Sequence, residues 1–476
     1  MTNWNQLQHL KPEKIKQLQN KLLKNFIKNQ IPYHPFYRAL FKKNKISFSE
    51  IKTTDDLKKL PLTTKEDIAP TAKQPKKFLD FVLQPNKSLI KKHAAINKKI
   101  RIILNKSHLY YEYKPMHIHF TTGRAAIATP VFYTAYDLQK LEESGKRMFD
   151  MLHISKNEII INAFPYAPHL AFWQTFYAVK GANLLSLHSG GGKILGTERI
   201  IKAVESMKAT SLAGMPGYLY HLVRTAKEKK ANFSSLSLVV FGGERVASGL
   251  RGKIRNGLAS MGSKNTRVLS TYAFTEGKVA WLECREESGY HLYPDLEFIE
   301  VVDKNGERVN EGEKGEIVYT SLDWRGSVFL RYKTSDITKG IYYEKCHHCN
   351  RTLPRIDAEI ERSSEYKDFR LTKIKGSFVN LNAFFSIMSH KDIEEWQIEI
   401  KKKNNDPYEI DELIVYIAPK KKANFEKLRN ELKNKIIAEA EITPEIAKIK
   451  LKELLKRLGM ETELKEKRIV DNRKKI

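Results

Sequence analysis

Two short segments carry residue types that together could bind a nucleotide. They are Thr271-Tyr-Ala-Phe-Thr-Glu276 and Arg331-Tyr-Lys-Thr-Ser-Asp336, whose closing carboxylates stand 60 residues apart. In the first, Tyr272 offers a ring to stack on a base, Thr275 a hydroxyl for a phosphate oxygen, and Glu276 a carboxylate for a divalent cation. The second ends in Asp336, and one carboxylate can accept two hydrogen bonds from paired sugar hydroxyls. Either string alone also fits the end of an ordinary strand, so order and context must decide.

Four further strings supply that context: His119-Phe-Thr-Thr-Gly-Arg124 and Phe241-Gly-Gly-Glu-Arg245 upstream, Lys373-Ile-Lys-Gly376 downstream, and the near-terminal Lys465-Glu-Lys-Arg-Ile-Val-Asp471. In this order the series resembles the adenylate-forming superfamily, and within it the phenylacetate–CoA ligase family. His34-Pro-Phe-Tyr37 followed by Leu60-Pro-Leu-Thr-Thr-Lys-Glu-Asp67 resembles the N-terminal region of the same family. The resemblance implies that ATP activates a carboxylic acid as an acyl-adenylate, with Mg2+ on the phosphates. The acyl group then passes to a thiol, that of CoA or of an acyl carrier protein.

The resemblance also distributes roles. Thr121, Thr122, Gly123 and Arg124 would wrap the ATP phosphates, because small side chains let backbone N–H groups approach closely. The second half of that loop departs from the family pattern: Ala125 replaces a hydroxyl, Ala126 a glycine and Ile127 a cation. Alanine adopts positive φ only at a cost, and Arg124 is left to supply charge. Gly242, Gly243 and Glu244 would line the adenine pocket, with Tyr272 stacked on the base and Thr275 on the α-phosphate. Glu276 would hold Mg2+, Asp336 the ribose, and Arg362 would belong to the nucleotide-binding set. Lys465 matches the lysine that stabilises charge on the phosphate oxygens, with Lys467 as its rival two residues on. A rotation of the C-terminal domain about Ser363-Ser-Glu365 would bring Lys373 and Gly376 to the thiol channel, and Ser364 departs from the family's acidic pair there.

The chain has three cysteines, too few for a disulfide framework. Cys346-His-His-Cys349 is half a metal site, and Cys284 with His291 would complete a Cys3His tetrahedral zinc centre of structural type. Reduced, buried cysteines are the alternative. Related ligases carry a similar Cys-x-x-Cys region.

These residues need elements to position them. Apolar residues at helical spacing over 11–30 predict an amphipathic helix, stopped by Pro32 and Pro35. Residues 47–68 read as a loop and a short helix capped by Thr63 or Thr64. Residues 70–115 are Lys-rich and read as a variable insertion. From 116 to about 320, strand-like runs at 158–162, 182–187 and 236–241 alternate with helical stretches at 196–208, 216–229 and 246–261. Such alternation predicts an α/β fold with mainly parallel, helix-covered sheets, whose ligands sit at the carboxyl ends of strands. Beyond 360 the pattern changes to short strands at 394–400 and 412–417 and helices near 423–440 and 444–458, a small mobile α+β domain. The expected division is 1–361 and 362–476.

Formal net charge is +29. Residues 1–115 hold 25 Lys and Arg against 8 Asp and Glu, while residues 361–476 hold 27 against 21. The excess is mostly N-terminal lysine scattered along amphipathic helices, which reads as a solvated face; no nucleic-acid motif is visible. The start lacks the apolar core of a signal peptide and no run is long and apolar enough to span a membrane, so a cytoplasmic protein is expected. Aromatics in Phe164-Pro-Tyr-Ala-Pro-His-Leu-Ala-Phe-Trp173, with Gly190-Gly-Gly192, suit an apolar or aryl acid and equally a core. A homodimer is a further expectation. Two other functions stand beside the ligase: a catalytically weak nucleotide-binding homologue with a regulatory role, motivated by Ala126 and Ile127, and a basic nucleic-acid-binding protein, motivated by charge alone.

Overall fold

The structure, a computed structural model, describes residues 3–71, 73–121, 129–244, 246, 249–362, 372–374, 377–379, 384, 387–402, 411–440, 443–460 and 466–473. Contacts divide the chain into two compact units. The first comprises Met1–Asn162, Tyr166–His188 and Leu269–Ile360; the second comprises Ala163–Pro165, Ser189–Val268 and Glu361–Ile476.

In the first unit, helices Pro12–Asn29 and Pro35–Lys43 both open on proline, whose missing N–H would be unpaired at that position anyway. His34 caps the second helix: its Nδ1 accepts from the Tyr37 N–H at 3.1 Å, and Nε2 donates to the Val328 carbonyl at 3.0 Å. Burial keeps this imidazole neutral, with its pKa pulled down to about 3. Thr64 and Asp67 form a capping box over helix Lys65–Ile68. The neighbouring Thr63 then joins a strand. Its N–H donates to the Arg331 carbonyl at 2.8 Å, and the Lys333 N–H donates to the Thr63 carbonyl at 2.9 Å. Both N-terminal motifs therefore brace the chain that leads into strand Tyr332–Thr338.

That strand pairs antiparallel with Gly315–Ser321, which pairs antiparallel with Glu297–Val302. A second antiparallel series runs through Arg267–Ala273, Ala280–Glu283, Tyr290–His291, Arg355–Ile356 and Ile341–Tyr342. Parallel pairing in this unit joins Ile159–Asn162 to Leu185–His188. The α/β class holds, but the sheets are mixed. Short hairpins such as Ala280–Glu283 with Tyr290–His291 are too brief to signal their direction in sequence.

Helix Ala135–Leu152 packs closely on helix Leu170–Ala182. A Cβ on Gly145 would lie 2.3 Å from the Ala178 Cα, so only glycine allows the approach. At the start of the first helix, Asp137 is fully buried and does several jobs. It forms a capping box with Thr134, and accepts from the backbone N–H groups of Arg325 at 2.8 Å and Gly326 at 2.7 Å. It also pairs with the fully buried Lys278 ammonium at 2.9 Å. Burial pulls the Lys278 pKa below the usual lysine value, and Asp137 opposes that shift. Residues 87–113, within the Lys-rich segment, form three short helices: Lys87–His93, Ile96–Leu104 and Ser107–Tyr113.

In the second unit, Ser211–Gly214 and Leu238–Phe241 pair in parallel, accompanied in sequence by helices Thr197–Ser206, Pro216–Glu228 and Leu250–Ala259. The C-terminal part centres on antiparallel strands Ile393–Lys402 and Asp411–Pro419. Ile398, Val415, Leu428, Leu432 and Ile436 share its core with Ile446. Within the same unit, the Lys253 ammonium donates to the carbonyls of Ile393 and Glu394 at 3.3 and 3.1 Å.

One expected element is corrected. Residues 444–458 are not one helix but strand Glu445–Lys448 followed by helix Leu451–Leu458. Pairing with Asp411–Pro419 buries Ile446, and Lys450 stays extended at ψ 137°, which interrupts any continuous helix. Among the described residues, no helix is long and apolar enough to cross a membrane.

Removing one partner of a buried ion pair leaves an uncompensated charge. Asp137→Ala is therefore expected to destabilise the protein by about 3–5 kcal/mol, read from denaturant unfolding, because Lys278 and two backbone donors lose their acceptor together.

Candidate active site

Strand Arg267–Ala273 places Tyr272 in a cage of aromatic rings, stacked on Trp281 at 5.6 Å. After Phe274 the chain enters the tight turn Thr275–Gly277, which presents Glu276. The two motif segments are cross-linked through their tyrosines. Tyr272 Oη donates to Asp336 Oδ2 at 2.7 Å, and Tyr332 Oη donates to Glu276 Oε1 at 2.6 Å. Each segment's phenol thus satisfies the other segment's acid. Glu276 is 7% and Asp336 6% exposed, so an acceptor without a donor would be costly at either position. The Tyr332 phenol engages Oε1 of Glu276, so the carboxylate is held at one oxygen.

The acid of the second segment is aimed by backbone irregularity. Register slips between Glu316 and Val318 on the partner strand, and Ser335 takes φ +64° with its N–H donating to Glu316 Oε1 at 3.1 Å. A bulge of this kind turns the following side chain, here Asp336. A non-glycine residue in that conformation costs roughly 1–2 kcal/mol, strain of the sort found at functional sites. Arg331, at φ +47°, anchors the start of the segment by donating to the carbonyls of Leu60 and Gly306, each at 2.9 Å.

The loop expected to hold phosphate is flanked by Thr121, whose N–H donates to the Thr129 carbonyl at 3.0 Å while its Oγ1 accepts from the Thr129 N–H at 3.1 Å. Thr122, Gly123, Arg124 and the substituted positions 125–127 lie outside the described residues. In the second unit, Gly242 and Gly243 directly follow strand Leu238–Phe241, and Glu244 comes next. The Gly242 N–H donates to the Gly214 carbonyl at 3.2 Å, and Gly243 takes φ +80°, a conformation natural only to glycine. Arg362 closes strand Ile360–Arg362 and Lys373 is the middle residue of strand Thr372–Ile374. Lys465, Gly376 and 363–365 lie outside the described residues. Lys467 is exposed, with its backbone tied to Leu458 and to the Gln397 side chain.

Part of the predicted acyl-pocket stretch falls in an aromatic group of the first unit. Trp173 packs edge-on to His117 at 4.7 Å and to Phe176 at 5.7 Å, and Tyr166 meets Phe172 at 5.3 Å. His117 Nε2 lies 2.9 Å from His119 Nε2, and His119 Nδ1 has no partner among the described residues. Burial, reinforced by His117, pulls the His119 pKa down to about 2, so the ring is neutral. Phe164 and Gly190–Gly192 belong to the second unit.

The cysteine expectation has a geometric counterpart. Cys284, His291, Cys346 and Cys349 present ligand atoms all within 4.8 Å of one another. Cys284 Sγ lies 3.7 Å from Cys346 Sγ, and Cys349 Sγ lies 3.6 Å from His291 Nε2. A tetrahedral zinc with bonds of about 2.3 Å to sulfur and 2.05 Å to nitrogen requires about 3.8 Å and 3.6 Å for those edges. The paired thiols push Cys284 up and hold Cys346 well below the usual thiol range. Cys284 directly follows strand Ala280–Glu283 and His291 closes strand Tyr290–His291; the first of these strands pairs Trp281 with Tyr272.

Sequence reasoning missed Tyr332, although it stands inside a recognised motif, because its partner Glu276 lies 56 residues away. The Lys278–Asp137 pair, separated by 141 residues, gave no local signal either.

Residues 131–330 match the family model described as AMP-binding enzyme. The chain is 25% identical over 366 residues to a phenylacetate-coenzyme A ligase of Thermus thermophilus, covering 76% of this chain and 73% of the relative. It is 22% identical to the phenylacetate-coenzyme A ligase of Escherichia coli, covering 74% and 72%. Among solved structures, a 2-hydroxyisobutyryl-CoA ligase in complex with 2-HIB-AMP superposes with a TM-score of 0.77 at 19% identity, covering 98% of this chain and 92% of that one, a likeness of fold. Motif order, the cross-linked acids and these relatives converge on one likeness: the chain carries an AMP-binding enzyme domain over residues 131–330 and is similar over about three quarters of its length to phenylacetate–CoA ligases.

Proposed function

We propose that the enzyme activates a carboxylic acid with ATP and transfers the acyl group to the thiol of CoA. A carboxylate oxygen attacks the α-phosphorus, the bond to the bridging oxygen breaks, and pyrophosphate leaves an acyl-adenylate. The thiol sulfur then attacks the acyl carbonyl, its proton is lost, and AMP departs. The observation that carries this reading is the reciprocal pair of phenol–carboxylate bonds, which holds an acid suited to ribose hydroxyls and one suited to a cation in a single framework.

In this reading Asp336 accepts from the ribose hydroxyls, Tyr272 lies against adenine with Gly242, Gly243 and Glu244, and Thr275 contacts the α-phosphate. Glu276 would hold Mg2+ while Tyr332 fixes its Oε1, and the ion would supply charge neutralisation on the phosphate oxygens. Thr121, Thr122, Gly123 and Arg124 cradle those oxygens, and Lys465 stabilises charge on them as pyrophosphate leaves. Residues 362–476 act as the mobile domain, carrying Lys373 to the thiol channel. The aromatic group around Trp173 favours an apolar or aryl acid, and a carrier-protein thiol is the alternative acceptor. Cys284, His291, Cys346 and Cys349 hold a structural zinc, since four protein ligands leave no open position. Three cysteines without a disulfide suit the reducing cytoplasm.

Carboxylate-dependent ATP–pyrophosphate exchange, screened across a panel of acids, is expected with at least one acid and is expected to vanish in Glu276→Ala. Bound ATP with no exchange from any acid would overturn the reading. Tyr332→Phe should lower kcat/KM by about tenfold or more and raise the Mg2+ concentration needed for half-maximal rate, because Oε1 of Glu276 loses its donor. Metal analysis of the purified chain should find about one zinc per chain, and chelation should lower Tm. A content near zero in a folded, active sample would remove the zinc assignment.

A further inference from the structure

The Lys-rich insertion contains a helix whose apolar face points outward. In Ile96–Leu104, Ile96, Ile100, Ile103 and Leu104 are 76%, 50%, 80% and 79% exposed. At 100° per residue these four positions fall on one side of the helix. Lys98, on the opposite side, points inward instead: its ammonium meets Glu112 Oε2 at 2.7 Å and lies over the Tyr113 ring. This reverses the usual arrangement of a surface helix. Tyr110 and Met116, a short distance along the chain, add further exposed apolar surface.

Within the segment that carries this face, the charge is almost wholly of one sign. Glu112 is the sole acid between residues 81 and 120, and it is engaged by both Lys98 and Arg325. Lys99 and Arg101 border the apolar stripe on its two sides, and Lys87, Lys91, Lys92, Lys106 and Lys114 lie on flanking segments. A basic rim around an outward apolar stripe is the pattern of a helix that lies in the interface of an anionic bilayer, where isoleucine and leucine enter the acyl boundary and cations meet lipid phosphates. A second copy of the chain is the weaker occupant, because a two-fold contact would set this basic rim against itself.

We infer that the face formed by Ile96, Ile100, Ile103 and Leu104 docks the enzyme peripherally on a membrane surface rich in anionic phospholipid. Anchoring of this kind is reversible, needs no membrane-spanning helix, and uses residues outside the nucleotide site.

Co-sedimentation with lipid vesicles tests it. The full chain should pellet with vesicles of equal parts phosphatidylcholine and phosphatidylglycerol, pellet poorly with phosphatidylcholine alone, and be released as salt rises. The double variant Ile103→Glu/Leu104→Glu should lose about tenfold in vesicle affinity at an unchanged Tm, since both side chains are exposed. The proposal is overturned if the wild type does not prefer anionic vesicles, or if the double variant binds them equally well. It is also overturned if light scattering finds a wild-type dimer that the double variant converts to monomer while neither binds vesicles, which would assign the face to a second copy.

Discussion

Two buried carboxylates cannot sit in a protein interior without donors, and here each obtains its donor from the other's strand. Tyr272 serves Asp336 and Tyr332 serves Glu276. Moving either acid would take an acceptor from a phenol, and losing either tyrosine would take a donor from an acid. The arrangement converts two short, individually ambiguous strings into one rigid constellation. It also constrains the surrounding architecture, because Arg267–Ala273 and Tyr332–Thr338 belong to separate antiparallel series whose ends must stay aligned for both bonds to form.

Much of the first unit can be understood as support for that alignment. His34 and Tyr37 grip the backbone at Val328 and Leu330, Thr63 pairs with the chain at Arg331 and Lys333, and Arg331 reaches back to Leu60 and Gly306. On the other strand, Lys278 follows Glu276 by two residues and is locked to Asp137, which itself fixes a helix start and the turn at Arg325 and Gly326. The cysteine–histidine cluster sits on the hairpin that carries Trp281 against Tyr272. Each brace acts on a neighbour of an acid rather than on the acid itself. Glu276 itself is held at Oε1 by Tyr332.

The parts of this account that were legible in the sequence are those with local or ordered signals. The amphipathic helix over 11–30 and a cap supplied by one of Thr63 and Thr64 survive in the structure, as Pro12–Asn29 and as Thr64 on Lys65–Ile68. So does the Cys3His grouping, because cysteine is rare enough in this chain for elimination to work. What sequence could not supply was pairing over long separations. The Tyr332–Glu276 bond depends on ladder register, and the mixed direction of the sheets depends on hairpins two to four residues long. Residues 444–458 illustrate a different failure: helical spacing of apolar residues was genuine only from Leu451, while Ile446 answered to a strand edge. The Lys-rich insertion read as a plain solvated face because charge dominates its composition, and only exposure along Ile96–Leu104 shows that the lysines border an apolar stripe.

The central claim is that Tyr332 acts through Glu276. A double-mutant cycle on Mg2+·ATP binding, using Tyr332→Phe, Glu276→Gln and the combination in calorimetry, tests it most directly. The account predicts that Tyr332→Phe weakens binding in the wild-type background but adds little once Glu276 is glutamine, a coupling of about 1–2 kcal/mol. Losses that simply add, with no coupling, would contradict it.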